Sequence, residues 1–211
     1  MNKYKIILVL GIVLTLIIGT FTLTGCKNKN KGNGEIMEFK ENPVVCITLK
    51  DESEIKLELY PDIAPITVSN FIKLVEKKFY DGVCFHRVID KFMIQAGGYY
   101  IEDNYIKDKE KVDPIKGEFS GNGVQNDLKH ELGVISMART SDKNSASSQF
   151  FICSATSPHL DGQYAAFGKA IDAESIQVIL AVSRSETINI GGGMTDFPNP
   201  PVEIKTIRRI K

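Results

Sequence analysis

From Val44 onward, apolar and polar residues alternate with a period of two. Val45, Ile47 and Leu49 fall on one side; after a turn-like stretch at residues 50–53, Ile55, Leu57 and Leu59 alternate with Glu54, Lys56 and Glu58. A period of two puts the apolar side chains on one face of a strand, so this segment reads as an antiparallel hairpin. Pro65 then opens a stretch in which Ile66, Phe71, Leu74 and Val75 share one helical face before Asp81-Gly82. The spacing predicts a helix over about residues 65–77.

The middle of the chain alternates short apolar runs, at residues 84–88, 93–96, 134–138 and 149–153, with glycine-bearing connections. Many short strands at such intervals point to an all-β sandwich or barrel. Residues 98–127 are polar, with charges alternating in sign at 107–111, and read as a long surface excursion. A second helix is expected at about residues 172–182, with Asp172 as its cap and Ile176, Ile179 and Leu180 as its apolar face. Gly191-Gly192-Gly193 lacks the lysine and hydroxyl residue of a phosphate loop and reads as a turn or hinge. Residues 202–210 read as a closing strand, and no internal repeat is visible.

The amino end has a different character. Lys3 and Lys5 precede an almost wholly aliphatic run from residue 6 to 18, the pattern of a secretory signal. The apolar stretch to Leu23 approaches the roughly 20 residues of a membrane span, so an uncleaved helix and plain secretion both compete with cleavage followed by lipidation. Leu23-Thr24-Gly25-Cys26 resembles the lipobox of bacterial lipoproteins, in which Cys26 would carry the lipid. The expected organisation is a lipoprotein signal at 1–25, a lipid-anchored tether at 26–43 that is polar and flexible at 27–34, and one domain at 44–211. Two acyl chains would give stable anchoring where one binds only marginally.

Composition adds limits. The chain has 211 residues, 43% hydrophobic and 25% charged, enough for one domain with a full core. Without residues 1–25 it carries 24 basic and 26 acidic residues, a formal charge of −2, so no nucleic-acid partner is implied. Cys46, Cys84 and Cys153 are odd in number and widely spaced, which favours buried thiols over a disulfide framework. His86, His130 and His159 lie far apart with no acidic or thiol neighbours at ligand spacing, so no metal site is expected.

The chemistry concentrates in Phe85-His86-Arg87-Val88-Ile89-Asp90-Lys91-Phe92-Met93-Ile94-Gln95-Ala96-Gly97, where one cation and a few polar groups sit among apolar side chains. Phe85 to Ile89, Phe92-Met93, Gln95, Gly133-Val134-Ile135-Ser136-Met137-Ala138, Ser148-Gln149-Phe150-Phe151-Ile152, Leu160-Asp161-Gly162 and Phe167-Gly168 resemble, in content and order, the signature blocks of the cyclophilins. The resemblance covers most of residues 44–211. It implies a mostly β fold, a closed eight-stranded antiparallel β-barrel capped by two α-helices, and peptidyl-prolyl cis-trans isomerase activity.

Such an activity explains the missing acid-base machinery. Rotation about an X-Pro bond faces a barrier of roughly 18–20 kcal/mol from amide resonance, and it requires no proton transfer, covalent intermediate or cofactor. Twisting localises the lone pair on the prolyl nitrogen, so a donor aimed there favours the transition state alone. By resemblance that donor is Arg87, and Gln95 orients it or binds substrate backbone. Phe92, Met93, Phe151 and Leu160 match the pocket for the proline ring; Ala138 and Arg139 match the stretch that pairs with peptide backbone, and Gln149 and Tyr164 complete the substrate-binding set.

Departures from the family pattern are local. His159 stands where many cyclophilins carry a tryptophan tied to tight cyclosporin binding, which argues against strong drug sensitivity. Tyr164 replaces a frequent His, and Arg139 a frequent Asn whose contact is largely through the main chain. Asp90 for Pro and Gly98 for Asp are expected to alter loops only. The expected role is isomerisation of proline-containing segments of exported proteins as they fold, by a monomer held through its lipid at the extracytoplasmic face of the cell membrane. Two other functions compete: a module that holds such segments without turnover, and a hydrolase pairing Ser147 or Ser148 with His159, for which no GxSxG elbow is present.

Overall fold

The computed structural model describes residues 36–211. The predicted signal peptide, Cys26 and most of the tether lie outside the described residues. Residues 36–43, assigned above to the tether, lie against the domain: Met37 N–H donates to Ser69 Oγ at 2.9 Å, and Met37 and Phe39 pack on the core.

Strands β1 (Val44–Leu49) and β2 (Glu54–Leu59) form the predicted hairpin, with Val45 opposite Leu57 and Ile47 opposite Ile55. Helix α1 (Pro65–Glu76) follows, then β3 (Arg87–Ile89), β4 (Met93–Ala96), β5 (Tyr99–Glu102) and β6 (Tyr105–Asp108). The rest runs β7 (Val134–Met137), β8 (Phe150–Cys153), β9 (Ala166–Ala170), α2 (Ala173–Ser183), β10 (Thr187–Ile188), β11 (Phe197–Pro198) and β12 (Ile204–Arg209). Eight strands make one sheet in the order β12-β1-β2-β9-β7-β8-β4-β3, and every paired ladder in it is antiparallel.

The two end strands do not share a ladder. Closure comes from a short seam just before them: Gly82 N–H donates to Ile204 O (3.0 Å), Ile204 N–H to Val83 O (2.8 Å) and Phe85 N–H to Val202 O (2.9 Å). The seam satisfies backbone groups that an open edge would leave for another chain. The expected eight strands are present, but the closed barrel is not complete: β3 and β12 do not pair, and only this short seam joins the two edges.

Helix α1 covers one end of this sheet and carries Phe71 into its interior. The Phe71 ring lies 5.1 Å from Tyr80, 5.3 Å from Phe167 and, edge-on, 5.5 Å from Phe150. All four rings are fully buried, so this cluster is the centre of the core. Helix α2 starts where predicted, its Asp172 side chain accepting from Ser175 N–H at 2.8 Å, and it buries Ile179 and Val182. Cys46, Cys84 and Cys153 are buried and unpaired by disulfide; burial raises the thiol pKa of Cys84 and Cys153 to about 12.

Residues 98–127 depart from the surface excursion expected. They open with the β5–β6 hairpin, whose central residues Asp103 and Asn104 have φ of +51° and +65°, as a tight primed turn requires. Farther on, Ile115, Glu118, Phe119 and Asn126 are buried. Glu118 caps α1 from a distance: Oε1 accepts from Ile66 N–H (3.0 Å), and Oε2 from Thr67 N–H (2.8 Å) and Thr67 Oγ1 (2.7 Å). The helix needs this carboxylate because Ala64 at its start offers no side-chain cap.

Candidate active site

Strand register builds the site. In the β3–β4 ladder Arg87 lies opposite Gln95 and Ile89 opposite Met93; in β4–β8 Gln95 lies opposite Phe151 and Met93 opposite Cys153; in β7–β8 Ser136 lies opposite Phe151. Directly opposed residues project from the same face. Arg87, Gln95, Phe151 and Ser136 therefore form one row across four strands. The alternate row, Val88, Ile94, Ile152 and Ile135, faces the barrel interior and belongs to the main core.

Around this mixed row the outer face is apolar as well. On the outer face Met93, Phe151, Cys153 and Leu160 form a separate buried cluster, with Phe92, Ala138 and Tyr164 packed against it. A cleft of about 290 Å³ opens over the cluster, at the small end of the range for ligand sites. Its floor is Phe92, Met93, Phe151 and Leu160, and its polar side is Arg87 and Gln95. Ala138, Arg139 and Tyr164 close the far wall.

Gln149 adjoins the polar side, where its Oε1 accepts from Gln95 Nε2 at 2.9 Å. Gly98 makes room for it: a Cβ there would come within 2.4 Å of Gln149 Nε2. The glycine at this position therefore bears on the site and is more than a loop variation.

Two features are absent from the sequence reading. Asp196, carried on the segment between the three glycines and β11, places Oδ2 3.5 Å from Arg87 Nε, and its backbone carbonyl accepts from Val88 N–H at 2.9 Å. No sequence pattern links Asp196 to Arg87, since only the docking of β11 beside β3 brings them together. The other is a polar chain beneath Phe151. His130 Nδ1 meets Asp161 Oδ1 at 3.1 Å, its Nε2 meets Ser136 Oγ at 3.1 Å, and its ring stacks on Phe151 with centroids 6.0 Å apart.

Burial lowers the pKa of His130, and the hydrogen bond with Asp161 opposes that only in part. Desolvation alone would raise Asp161, but the backbone and ring of His130, with Lys129 nearby, outweigh it and leave the carboxyl below its ordinary value. His86, beside Arg87 in sequence, is likewise buried; desolvation first and the Arg87 charge second push its pKa down to about 4. Both imidazoles are therefore neutral near pH 7.

The hydrolytic alternative finds no geometry. The carbonyls of Ser147 and Ser148 accept from Asn70 Nδ2 and Tyr80 Oη, while the His159 ring lies tilted against Phe92 with centroids 5.4 Å apart; among the described residues no hydrogen bond joins either serine to His159. The Ser136-His130-Asp161 chain has the order of a catalytic triad, but Ser136 is 0% exposed and no substrate carbonyl can reach it. Among the described residues no group of three His, Cys, Asp or Glu side chains is placed to hold a metal ion.

Comparison with known proteins agrees with the geometry. Residues 44–209 match the family profile described as cyclophilin type peptidyl-prolyl cis-trans isomerase/CLD. The chain is 40% identical over 162 residues to peptidyl-prolyl cis-trans isomerase A of Dickeya dadantii, covering 74% of this chain and 80% of that protein. It is 40% identical over 131 residues to peptidyl-prolyl cis-trans isomerase B of Bacillus subtilis, covering 57% and 78%. Among solved structures, a cyclophilin type isomerase of Cryptosporidium parvum crystallised in the presence of the dipeptide Ala-Pro superposes with a TM-score of 0.63 at 26% identity, over 80% of this chain and 99% of that one.

Proposed function

This chain belongs to the cyclophilin-type peptidyl-prolyl cis-trans isomerases, and we propose that it works from a lipid anchor at the extracytoplasmic face of the cell membrane, on exported proteins as they fold. Isomerisation of X-Pro bonds is the reaction; its location, clients and residue roles are the proposal.

In this reading Arg87 is the catalytic group. Asp196 lies beside its Nε, and among the described residues no protein group accepts from its Nη atoms, while Arg87 itself lines the cleft. Those donors meet the prolyl nitrogen as the amide twists and its lone pair localises, a bond that the planar ground state cannot make. Gln95, directly opposite on β4 and tied to Gln149, sets the position of the guanidinium or holds substrate backbone. The proline ring enters the apolar floor of Phe92, Met93, Phe151 and Leu160. Removing one preorganised donor of this kind costs about 10²–10³ in rate.

The observation that carries this assignment is the placement of Arg87 and Gln95 as an opposed pair on the outer face of the sheet, over an apolar cleft of about 290 Å³. NMR exchange on a proline peptide tests it: the full chain accelerates cis-trans exchange and Arg87→Ala loses most of that acceleration. Equal acceleration by both proteins removes Arg87 from the mechanism, whereas peptide binding without acceleration favours a holding module. The location rests on Leu23-Thr24-Gly25-Cys26 after a basic and aliphatic start. Mass spectrometry of the native amino terminus decides it, with a lipid adduct on Cys26 as the expected result and an intact Met1 as the refuting one.

A further inference from the structure

The cleft holds a second guanidinium, Arg139, fixed in an unusual way. Its Nε and Nη2 donate to the Gln163 carbonyl at 3.1 and 2.9 Å, and its Nη1 donates to the carbonyls of Thr140 at 2.8 Å and Ser141 at 3.5 Å. Its guanidinium carbon lies over two rings, 4.7 Å from the Tyr164 centroid and 5.1 Å from that of Phe119. Every one of these partners is neutral. Asp142, on the same loop, instead accepts from Asn144 N–H, and among the described residues no carboxylate lies within ion-pair distance of Arg139. Four of its five N–H groups are accounted for, which leaves one on Nη2 without a protein acceptor.

The two cations of the cleft therefore differ. Arg87 has Asp196 beside it, whereas Arg139 carries an uncompensated charge on the opposite wall. We propose that Arg139 selects substrates carrying an acidic side chain next to the proline, a proposal that rests on the reading of this cleft as the peptide site. The fold has already fixed the side chain, so little rotamer freedom is lost when a carboxylate arrives. Its fork is occupied by carbonyls, so the carboxylate meets one free N–H and the net charge rather than a bidentate pair. Arg139 is half-buried, and an ion pair that solvent still reaches changes an equilibrium by up to about fivefold at low salt. The Asn-to-Arg departure noted in the sequence thus alters specificity through its side chain, beyond any main-chain pairing.

The test uses the full chain and NMR exchange on proline peptides with Glu, Gln or Lys placed in turn on each side of the proline. At about 0.01 M salt, where screening extends to ~30 Å, kcat/KM for the Glu peptide is expected to exceed that for the Lys peptide by about fivefold at one flanking position. In about 1 M salt, with a screening length of ~3 Å, the ratio falls below about twofold. Arg139→Gln brings the ratio toward one whatever it does to the absolute rate, and Arg139→Lys keeps it. A wild-type ratio near one at low salt, with the Gln peptide turned over normally, overturns the inference and leaves the peptide site standing. An unchanged ratio in Arg139→Gln also overturns it, and assigns the selection to Arg87. If the wild type accelerates none of the peptides, the reading of the cleft fails together with the inference.

Discussion

Replacing Glu118 with alanine is expected to cost about 3–5 kcal/mol of stability, although the residue lies in a stretch whose sequence reads as solvated surface. The magnitude follows from its contacts. Glu118 is 3% exposed and its two oxygens accept three hydrogen bonds at the start of α1, from Ile66 N–H, Thr67 N–H and Thr67 Oγ1. Truncation leaves two helix N–H groups without acceptors, at about 1–3 kcal/mol each where water enters poorly. It also removes an anion from the positive end of the helix dipole, about 0.3–1 kcal/mol. A domain with roughly 5–15 kcal/mol in total would lose about a fifth or more.

Guanidinium unfolding followed by circular dichroism measures the loss as a lower midpoint at unchanged slope. Thr67→Val serves as the partner variant. It should cost about 1 kcal/mol in the wild type and almost nothing beside Glu118→Ala, because the two changes remove the same bond. A loss below about 1 kcal/mol in Glu118→Ala, or an equal cost of Thr67→Val in both backgrounds, refutes the view that this carboxylate is the helix cap.

Four further outcomes are expected. His86 has a folded pKa of about 4 against about 6.5 when unfolded, so the unfolded state takes up the proton first; stability is complete above pH 6.5 and falls by up to about 3 kcal/mol as pH drops to 4. Urea melts across that window check this, and His86→Phe should flatten the dependence. Gly98→Ala should push Gln149 off Gln95 and lower kcat/KM several-fold with little change in midpoint; an added Gln149→Ala should then have no further effect. Ile94→Ala and Met93→Ala both empty buried sites and should each cost about 2–5 kcal/mol, but only Met93→Ala, on the cleft side, should also weaken peptide binding; equal binding losses would contradict the two-faced sheet. His159→Trp should tighten cyclosporin binding by about an order of magnitude or more in a direct titration, by extending the aromatic surface already packed against Phe92.

The parts of this molecule visible in the sequence are those governed by local periodicity. Val45, Ile47 and Leu49 against Ile55, Leu57 and Leu59 repeat every second residue, and the hairpin forms as that repeat requires. Pro65 and Asp172 mark helix starts because the first turn of a helix has its own chemical demands. Glu118 and Asp196 were invisible for the opposite reason. Each is a single acid outside any periodic segment, and its partner is 51 or more residues away in one case and on β3, across from the segment before β11, in the other. The β5–β6 hairpin was missed because its turn is Asp103-Asn104, without glycine, between strands that lack clean alternation.

The site arises from an unusual use of a sheet. A barrel strand ordinarily alternates between core and solvent, yet β4 and β8 are buried on both faces: Ile94 and Ile152 inward, Met93 and Phe151 outward. The outward pair is buried by its neighbours on the same surface, with Met93 at 2%, Phe151 at 5% and Leu160 at 6% exposure, so the cleft exists before any ligand arrives. That matters for a reaction whose catalyst must bind a neutral ring and present one donor. An apolar wall that formed only on binding would spend part of its binding energy on ordering side chains. A wall held by β4 and β8 leaves that energy for the twisted amide, and the register that buries Ile94 also fixes Arg87 opposite Gln95. Stability and catalysis here share strands while using opposite faces, so substitutions one residue apart can separate them.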